Sequence, residues 1–278
     1  MSQLKAVADQ LLTDAISAYF PEGYVSESIL PMVGVVQQSG LLPKLGNQHL
    51  RIENSLKGGR GKYRRVEAVT RSTAQYLIEG HGLEGIVTKE DYKNVQDPFD
   101  AEKEESMGLS SLLWVEKEKV LADTLTSASI ITQNTTLSGT SQFSDYLNSD
   151  PISAGVTARS TVRAGCGMPA NSVAMDWAVW NVLRFHPQML DALGYKDNRP
   201  GGLTDQELAQ ALGVDKLFLA KAMYNSAKEG QNDSLAPIWG KHLVFMYVPP
   251  KADLYQVSLG YRVQYAGEAP RKVYKWYG

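Results

Sequence analysis

The residues with the most reactive side chains are one cysteine and four histidines. Cys166, the only cysteine, lies between Gly165 and Gly167, and His186 follows twenty residues later. A thiol and an imidazole can act as nucleophile and general base when folding brings them together. No third residue that could orient the imidazole stands at a recognisable spacing, and a cysteine at a helix end is usually a small buried residue. Catalysis is therefore the weaker hypothesis, and we expect no catalytic residues.

Metal and cofactor sites are not predicted either. A single cysteine excludes an intrachain disulfide and a cysteine-cluster metal site, and metal-ligand spacing is absent among His49, His81, His186 and His242. Gly80–Gly85 matches G-x-G-x-x-G, but β-prone residues 86–88 follow where a dinucleotide site needs a helix. The glycine-rich turn at 57–62 lacks the first Gly and the final Ser or Thr of a phosphate loop.

Composition is that of an ordinary globular protein of one or two domains. The 278 residues are 43% hydrophobic and 21% charged, with a formal net charge of −2. This charge argues against a protein that coats nucleic acid through overall basicity, which requires concentrated Lys and Arg. We expect neither a signal peptide, since Asp9 and Asp14 interrupt the N-terminal apolar residues, nor a membrane span. One cysteine fits a reducing cytoplasm.

Residues 98–127 are predicted to form one long helix. Asp97 can cap it, Pro98 suits its first turn, and acidic residues precede basic ones as the helix dipole favours. At 1.5 Å per residue its length would be roughly 40 Å. The buried face is expected to be an apolar stripe at spacings of three, four and seven: Leu109, Leu112, Leu113, Val120, Leu121 and Leu125.

Upstream of this helix, residues 1–80 divide into an arm and a ribbon. Helical spacing from Leu4 to Ile16 predicts a short amphipathic helix that Pro21 and Gly23 end. Residues 24–50 are broken by Pro and Gly and predict an extended arm that must lie on something else, either the same subunit or a neighbour. Residues 51–80 predict a two-stranded ribbon, with one strand around 50–52, a turn at 57–62 and a second strand at 63–78.

The ribbon and the helix start carry opposite charges. Between Arg51 and Arg71 seven basic residues face two acidic ones, and between Glu79 and Glu105 nine acidic residues face three lysines. Charge runs of this kind are often solvated faces. The alternative is that the ribbon of one subunit lies over the helix of the next, through these residues: Arg60, Lys62, Arg64, Arg65, Glu102, Glu104 and Glu105.

The second half predicts helices around a small sheet, an α+β arrangement. A polar loop at 132–149 precedes a helix from Asp150-Pro151 to Arg163, a strand at 168–175 and a helix at 177–193. Thr204 and Glu207 predict a capping box for the helix 204–212. Three strands are then expected at 216–224, 238–248 and 257–265.

These runs, taken in order, resemble the tailed-bacteriophage major capsid proteins of the Hong Kong 97 type fold. The central strand and helix of that family resemble residues 169–176, Val179-Trp180, Leu183 and His186-Pro187. The resemblance continues at 203–209, 213–219, Ala222 to Asn225, and Ile238 to Lys241. Earlier matches are Leu30-Pro31, Tyr76, the Asp97 to Asp100 run and Ser149 to Pro151.

The resemblance implies a domain scheme. Residues 1–50 would be the N-terminal helix and arm, and 51–80 the extended loop hairpin. Residues 81–148 would be the peripheral domain with its spine helix at 98–127, and 149–250 the axial domain. Residues 251–278 would form a C-terminal strand that returns to the peripheral domain.

The resemblance also implies a structural role in the virion. Copies would assemble in the host bacterial cytoplasm into hexamers and pentamers of an icosahedral shell that encloses double-stranded DNA without sequence-specific binding, with no cofactor and no membrane. A portal, a possible decoration protein and a scaffolding protein would be partners, the last being separate because only a short helix precedes the arm. The alternative is an encapsulin-like bacterial nanocompartment shell, which has the same fold.

Overall fold

The structure is a computed structural model that describes residues 7–45, 50–53, 55–56, 63, 65, 71–94, 98–195, 201–228, 230–251, 256–267 and 271–275. Its helices are α1 (Gln10–Ala18), α2 (Ser26–Ile29), α3 (Lys89–Asn94), α4 (Pro98–Thr126), α5 (Pro151–Cys166), α6 (Trp177–Leu183), α7 (Pro187–Ala192) and α8 (Asp205–Leu212). Its strands are β1 (Val7–Ala8), β2 (Met32–Val35), β3 (Ser39–Leu45), β4 (Arg71–Leu77), β5 (Ser172–Asp176), β6 (Lys216–Ala220), β7 (Met223–Asn225), β8 (Leu235–Pro237), β9 (Leu243–Met246), β10 (Arg262–Tyr265) and β11 (Tyr274–Lys275).

A three-stranded sheet in the order β6-β5-β9 lies at the centre, and the predicted α+β class is confirmed. β5 is parallel to β6, with Ser172 opposite Lys216, and antiparallel to β9, with Ser172 opposite Met246. Every residue of β5 is buried. Burial on both faces is the pattern of a strand that is covered by layers on each side.

The alternation of β5 side chains divides the core into two clusters. Val173 and Met175 point to one face, where they pack with residues of α6, α7 and α8 such as Leu183 and Leu208. Ala174 points to the other face, where Ala220, Met246 and Trp239 form a cluster with the end of α4 and with the segment around Val25 and Ile29. The sheet therefore joins the helical layer to α4 and the N-terminal segment.

The long helix is confirmed, and its predicted buried face is correct only in part, since Leu121 and Leu125 pack on the core but two other members of the stripe do not. α4 has 29 residues and is continuous. Leu112 and Val120 are 60% and 58% exposed, whereas Leu125 is buried as expected. From residue 110 onwards the buried residues recur four and three positions apart on another face: Ser110, Trp114, Glu118, Ala122 and Leu125.

The N-terminal segment lies largely on its own chain, which is the first of the two placements expected for the arm. The helix begins at Gln10, because Val7 and Ala8 form β1, and Asp9 caps it by accepting from the Leu12 N–H. Leu4, the predicted start of the helix, is outside the described residues. Val25 and Ile29 are buried in the core. β2 pairs in parallel with β10, and β1 pairs antiparallel with β11, so both parts of the segment are tied to the C-terminal residues.

The predicted ribbon exists as a hairpin with different bounds. β3 pairs antiparallel with β4, with Ser39 opposite Leu77. Residues 50–52 are not in a strand, so the predicted first strand is wrong, and the turn at 57–62 lies outside the described residues. Leu50 packs against Gly167, where an added Cβ would come within 2.6 Å of Leu50 Cδ1.

The second half follows the predicted order with shorter elements. The capping box of α8 is confirmed, since Thr204 and Glu207 bond each other's backbone N–H groups. The helix predicted at 177–193 is two helices, because Pro187 disfavours helical geometry at His186. The strands predicted at 168–175, 216–224, 238–248 and 257–265 are shorter, and 216–224 is divided between β6 and β7.

Candidate functional site

The inner face of α4 carries a buried carboxylate that holds three parts of the chain together. Glu118 is 0% exposed. Its oxygens accept from the Val25 N–H at 3.2 Å and the Ser26 N–H at 2.8 Å, at the start of α2. Glu118 Oε1 also accepts from Trp239 Nε1 at 2.7 Å. A buried carboxylate needs several donors to offset its lost hydration, and these three supply them.

One turn before Glu118, Trp114 is the centre of an aromatic and cationic cluster. Its ring is 3% exposed and meets Phe20 edge-on, with the ring centroids 5.0 Å apart. The Arg271 guanidinium and the Lys117 ammonium lie 4.3 and 4.9 Å from the Trp114 ring centroid. Cations over an indole face are stabilised by its quadrupole, so these contacts fix the C-terminal segment on α4.

The cations beside Trp114 converge on Glu27. Glu27 Oε1 lies 2.7 Å from Lys117 Nζ, 2.9 Å from Arg271 Nη2 and 3.6 Å from Arg262 Nη1. Burial alone would raise the pKa of Glu27, but Lys117 and then the two arginines hold that pKa below its usual value. The carboxylate is therefore kept ionised by residues from three segments of the chain.

A second ion cluster joins the two termini to the start of α4. Lys275 Nζ lies 2.8 Å from Asp9 Oδ2 and also donates to Glu102 Oε2. Tyr92 Oη donates to the other Glu102 oxygen at 2.7 Å. Burial would lower the pKa of Lys275, but Asp9 and Glu102 raise it. Glu102 is thus engaged within its own subunit.

The outward side of α4 carries the part of the predicted apolar stripe that does not reach the core. Leu109 is about two and a half turns from Glu118 and so lies on the opposite side of the helix. Leu112 and Val120 are on the same outward side and are mostly exposed. The side therefore presents apolar surface that a single copy of the chain leaves in water.

Residues 78–88 run as an extended strap along this side. His81 Nδ1 lies 3.1 Å from Glu116 Oε1, and Gly85 lies against Glu105, nearer the start of α4. Leu83 and Ile86 in the strap are 49% and 81% exposed. The G-x-G-x-x-G run belongs to this strap and not to a strand-to-helix turn, so it lacks the geometry of a dinucleotide site.

The predicted contact residues lie in different settings. Arg60, Lys62 and Arg64 are outside the described residues, and Arg65 is exposed. Glu104 and Glu105 are exposed near the start of α4, with Glu105 beside the strap. Glu102 differs from the rest, since Lys275 and Tyr92 already bind it.

Cys166 and His186 direct their hydrogen bonds elsewhere than to each other. The Cys166 thiol donates to the Met168 carbonyl oxygen at 3.2 Å. The His186 ring bonds Ser149 Oγ at 3.0 Å and accepts from the Gln188 N–H at 3.3 Å. Both ring nitrogens therefore serve local structure.

Within the described residues, no cluster of three or more His, Cys, Asp or Glu side chains is arranged to hold a metal ion. The helices in the same part of the chain are all too short or too polar to span a membrane.

The residue that prediction missed is Glu118, together with its partner Trp239. A signal for it exists in the sequence: Trp114, Glu118, Ala122 and Leu125 have the spacing of one helical face, and a glutamate within such a face needs buried donors. The exposed stripe around Leu112 has the same helical periodicity, so periodicity alone does not identify the face that contains Glu118.

Comparison with known proteins shows that the chain is similar to curated proteins in sequence and to solved structures in fold. Over 275 residues the chain is 24% identical to the major capsid protein of Burkholderia phage BcepMu, covering 96% of this chain and 86% of that protein. Over 264 residues it is 27% identical to the major capsid protein of Pseudomonas phage JBD67, covering 91% and 81%. No protein-family model matches the chain.

The fold resembles that of a phage-related protein from Bordetella bronchiseptica RB50, with a TM-score of 0.70 and 18% identity over 95% of this chain and 85% of that protein. At this identity the likeness concerns the fold alone. The two curated similarities confirm the predicted resemblance to phage major capsid proteins.

Proposed function

We propose that this chain, a homologue of phage major capsid proteins, is the major capsid protein of a tailed double-stranded DNA phage. The observation that carries the proposal is the similarity to two such proteins over more than nine tenths of the chain. Copies would form hexamers and pentamers of an icosahedral shell around the genome, assembled in the host cytoplasm. A scaffolding protein, a portal and a decoration protein would be partners.

The fold is proposed to be of the Hong Kong 97 type, with the peripheral domain at 81–148 and the axial domain at 149–250. The element order supports this, since a hairpin, a long helix and a small sheet with flanking helices follow one another. The pairing of β10 and β11 with β2 and β1 supports a C-terminal segment that returns towards α4.

Self-assembly is supported by the β3–β4 hairpin, whose described side chains are mostly exposed. β3 and β4 form a two-stranded sheet, and Leu41 and Leu77 are 65% and 67% exposed. Tyr76 supplies local packing against Gly40, and its hydroxyl donates to the Gln37 carbonyl oxygen at 3.2 Å. An isolated two-stranded hairpin is marginally stable in water, so contact with a neighbouring copy would stabilise it.

The outward side of α4 is the surface that we propose receives this hairpin from the next subunit. It offers exposed apolar side chains in Leu112 and Val120, and acidic ones in Glu105 and Glu116. The described residues that follow β3 carry matching side chains, apolar and basic. Ile52, Leu56 and Tyr63 are 97%, 89% and 79% exposed, and Arg65 is also exposed. Obligate contacts of this kind bury about 2,000 Å² or more in total.

Within the charged set, Glu104 and Glu105 are proposed as partners of Arg60, Lys62, Arg64 and Arg65. Glu102 is a poor partner because its two oxygens already bind Lys275 and Tyr92. Ion pairs at such an interface would chiefly set orientation and association rate.

The function is tested by expressing the chain alone and with its phage genes and examining the products by electron microscopy. We expect shells of uniform size, which contain DNA when they come from an infected lysate. Particles that form without phage partners and enclose a protein cargo would favour the encapsulin-like nanocompartment. A chain that remains monomeric in both settings would contradict both shell proposals.

The contact is tested by two sets of substitutions, one apolar and one charged. L112N together with V120N should leave the circular dichroism spectrum unchanged but reduce the yield of particles at least tenfold. L147N is the matched control, since Leu147 is 94% exposed outside this surface. Reversal of Arg60, Lys62, Arg64 and Arg65 should also impair assembly, with partial recovery when Glu104 and Glu105 are reversed. Normal yields from L112N/V120N would exclude this surface while leaving the capsid function intact.

A further inference from the structure

His186 is fully buried and is held at both ring nitrogens. Its Nε2 lies 3.0 Å from Ser149 Oγ, and Ser149 is itself 1% exposed. Its Nδ1 accepts from the Gln188 N–H at 3.3 Å, which caps α7. The ring meets Tyr146 edge-on at 5.3 Å between centroids. His186 thus connects the loop at 143–149 with the start of α7.

The direction of each hydrogen bond assigns the tautomer. The Ser149 hydroxyl has one proton, which it donates to the Asp145 carbonyl oxygen at 2.6 Å. Ser149 Oγ can therefore only accept from His186, so the ring proton is on Nε2. Nδ1 carries none, since it accepts from Gln188. The site fits a neutral imidazole and no other form.

We propose that His186 is a proton-sensitive latch, which holds the 143–149 loop on α7 when neutral and releases it when protonated. An imidazolium donates from both nitrogens. A proton on Nδ1 would point at the Gln188 N–H, so two donors would face each other and the cap of α7 would be lost. Because the site is buried, water cannot replace that cap without opening the contact.

The charged groups around the ring do not compensate for a buried imidazolium. Asp150 at the start of α5 favours the charged ring, but burial outweighs it and lowers the pKa of His186. The Asp145 carboxylate is turned towards the Leu147 and Asn148 N–H groups. Arg184, two residues before His186, directs its guanidinium to the Trp180 ring, 4.3 Å from the ring centroid.

The sign of the pH effect follows from this lowered pKa. The released loop would let His186 titrate near 6.5, whereas the latched ring titrates at lower pH. The latch is therefore fully stable above pH of about 6.5 and weakens as the pH falls from there towards the latched pKa. The ratio of open to latched molecules should rise up to tenfold per pH unit within this window.

Two substitutions of His186 each keep one of its two hydrogen bonds and remove the other. In H186N, the side-chain oxygen can still accept from Gln188 but does not reach Ser149. In H186Q, the longer amide can still donate to Ser149 but does not cap α7. Neither variant titrates, and H242Q is the control because His242 is exposed.

Hydrogen exchange of the full chain, corrected for the intrinsic rate, would measure the protection of residues 143–149 and of Gln188 from pH 7.5 to 5. We expect protection to fall several-fold in the wild type and in H242Q, and to be lower but independent of pH in H186N and H186Q. The same pH dependence in all four proteins would overturn the latch. If the variants do not fold, ¹⁵N shifts of the wild type decide, since an Nδ1–H or protonated ring at pH 6 contradicts the proposal.

Discussion

The Glu118 carboxylate, on the inner face of α4, accepts a 2.7 Å hydrogen bond from the Trp239 indole, which lies 121 residues further along the chain. Both side chains are buried, at 0% and 1% exposure. Because the same carboxylate accepts from the backbone of Val25 and Ser26, one side chain links α4 to the N-terminal segment and to the sheet.

Removal of the Glu118 carboxylate should strongly destabilise the fold. In E118A the Val25, Ser26 and Trp239 N–H groups lose their acceptor, and each unpaired buried donor costs about 1–3 kcal/mol. We expect the free energy of unfolding, from urea titration, to fall by at least about 3 kcal/mol. E116A is the control, because Glu116 is exposed on the outward side and should change the same quantity by about 0.5 kcal/mol or less. Equal effects from the two variants would contradict the assignment of Glu118.

Loss of the indole N–H alone should be milder than loss of the carboxylate. W239F keeps most of the buried ring and removes one donor, so we expect a cost of about 1–3 kcal/mol. In a double-mutant cycle with E118A, the two losses should be less than additive, since both remove the same bond. Strict additivity of the unfolding free energies would mean that the two side chains are not coupled.

Glu102 and Glu104 should differ although they are two residues apart. E102Q weakens the pairing with Lys275 and should lower the melting temperature, whereas E104Q alters an exposed side chain and should leave it nearly unchanged. Hydrogen exchange should also report faster opening of residues 7–9 and 271–275 in E102Q only. A melting temperature that is lower in E104Q than in E102Q would refute this role for Glu102.

Acid should weaken the contacts around Glu27. Its pKa is held below the ordinary 4.5, so its stabilising effect is complete above that pH and is lost as the pH falls through the lowered value. In E27Q the free energy of unfolding should be smaller at pH 7 and should decline less between pH 5 and 3. E22Q, which alters a nearby exposed carboxylate, serves as the control. An unchanged acid slope in E27Q would show that the decline comes from other groups.

Local signals in the sequence predicted many of the elements. The long helix at 98–127 ends within one residue of α4, and Asp150-Pro151 starts α5 as expected, with Asp150 accepting from the Ser153 N–H. Thr204 and Glu207 form the predicted capping box. Caps and helical periodicity depend on residues within a few positions of one another, which is why they can be inferred without the fold.

The buried face of α4 could not be chosen from the sequence. Leu109, Leu112 and Val120 have the same helical periodicity as Trp114, Ala122 and Leu125, and each set offers three apolar residues. Only the packing of α2, Trp239 and the sheet against the second set decides which is covered. The surface on which the N-terminal segment packs could not be predicted for the same reason. β2 pairs with β10, a strand more than 200 residues further along the chain.

By itself, the sequence determined the α+β class, the order of the elements and the likeness to a family, because caps, periodicity and ordered runs of residues are local. Only the tertiary structure decided that Glu118 is buried, that Glu102 is bound within its own subunit and that His186 holds a loop on α7. The physical reason is that a hydrogen bond or a covered face depends on which distant residues are brought into contact, and periodicity along the chain carries no information about that partner.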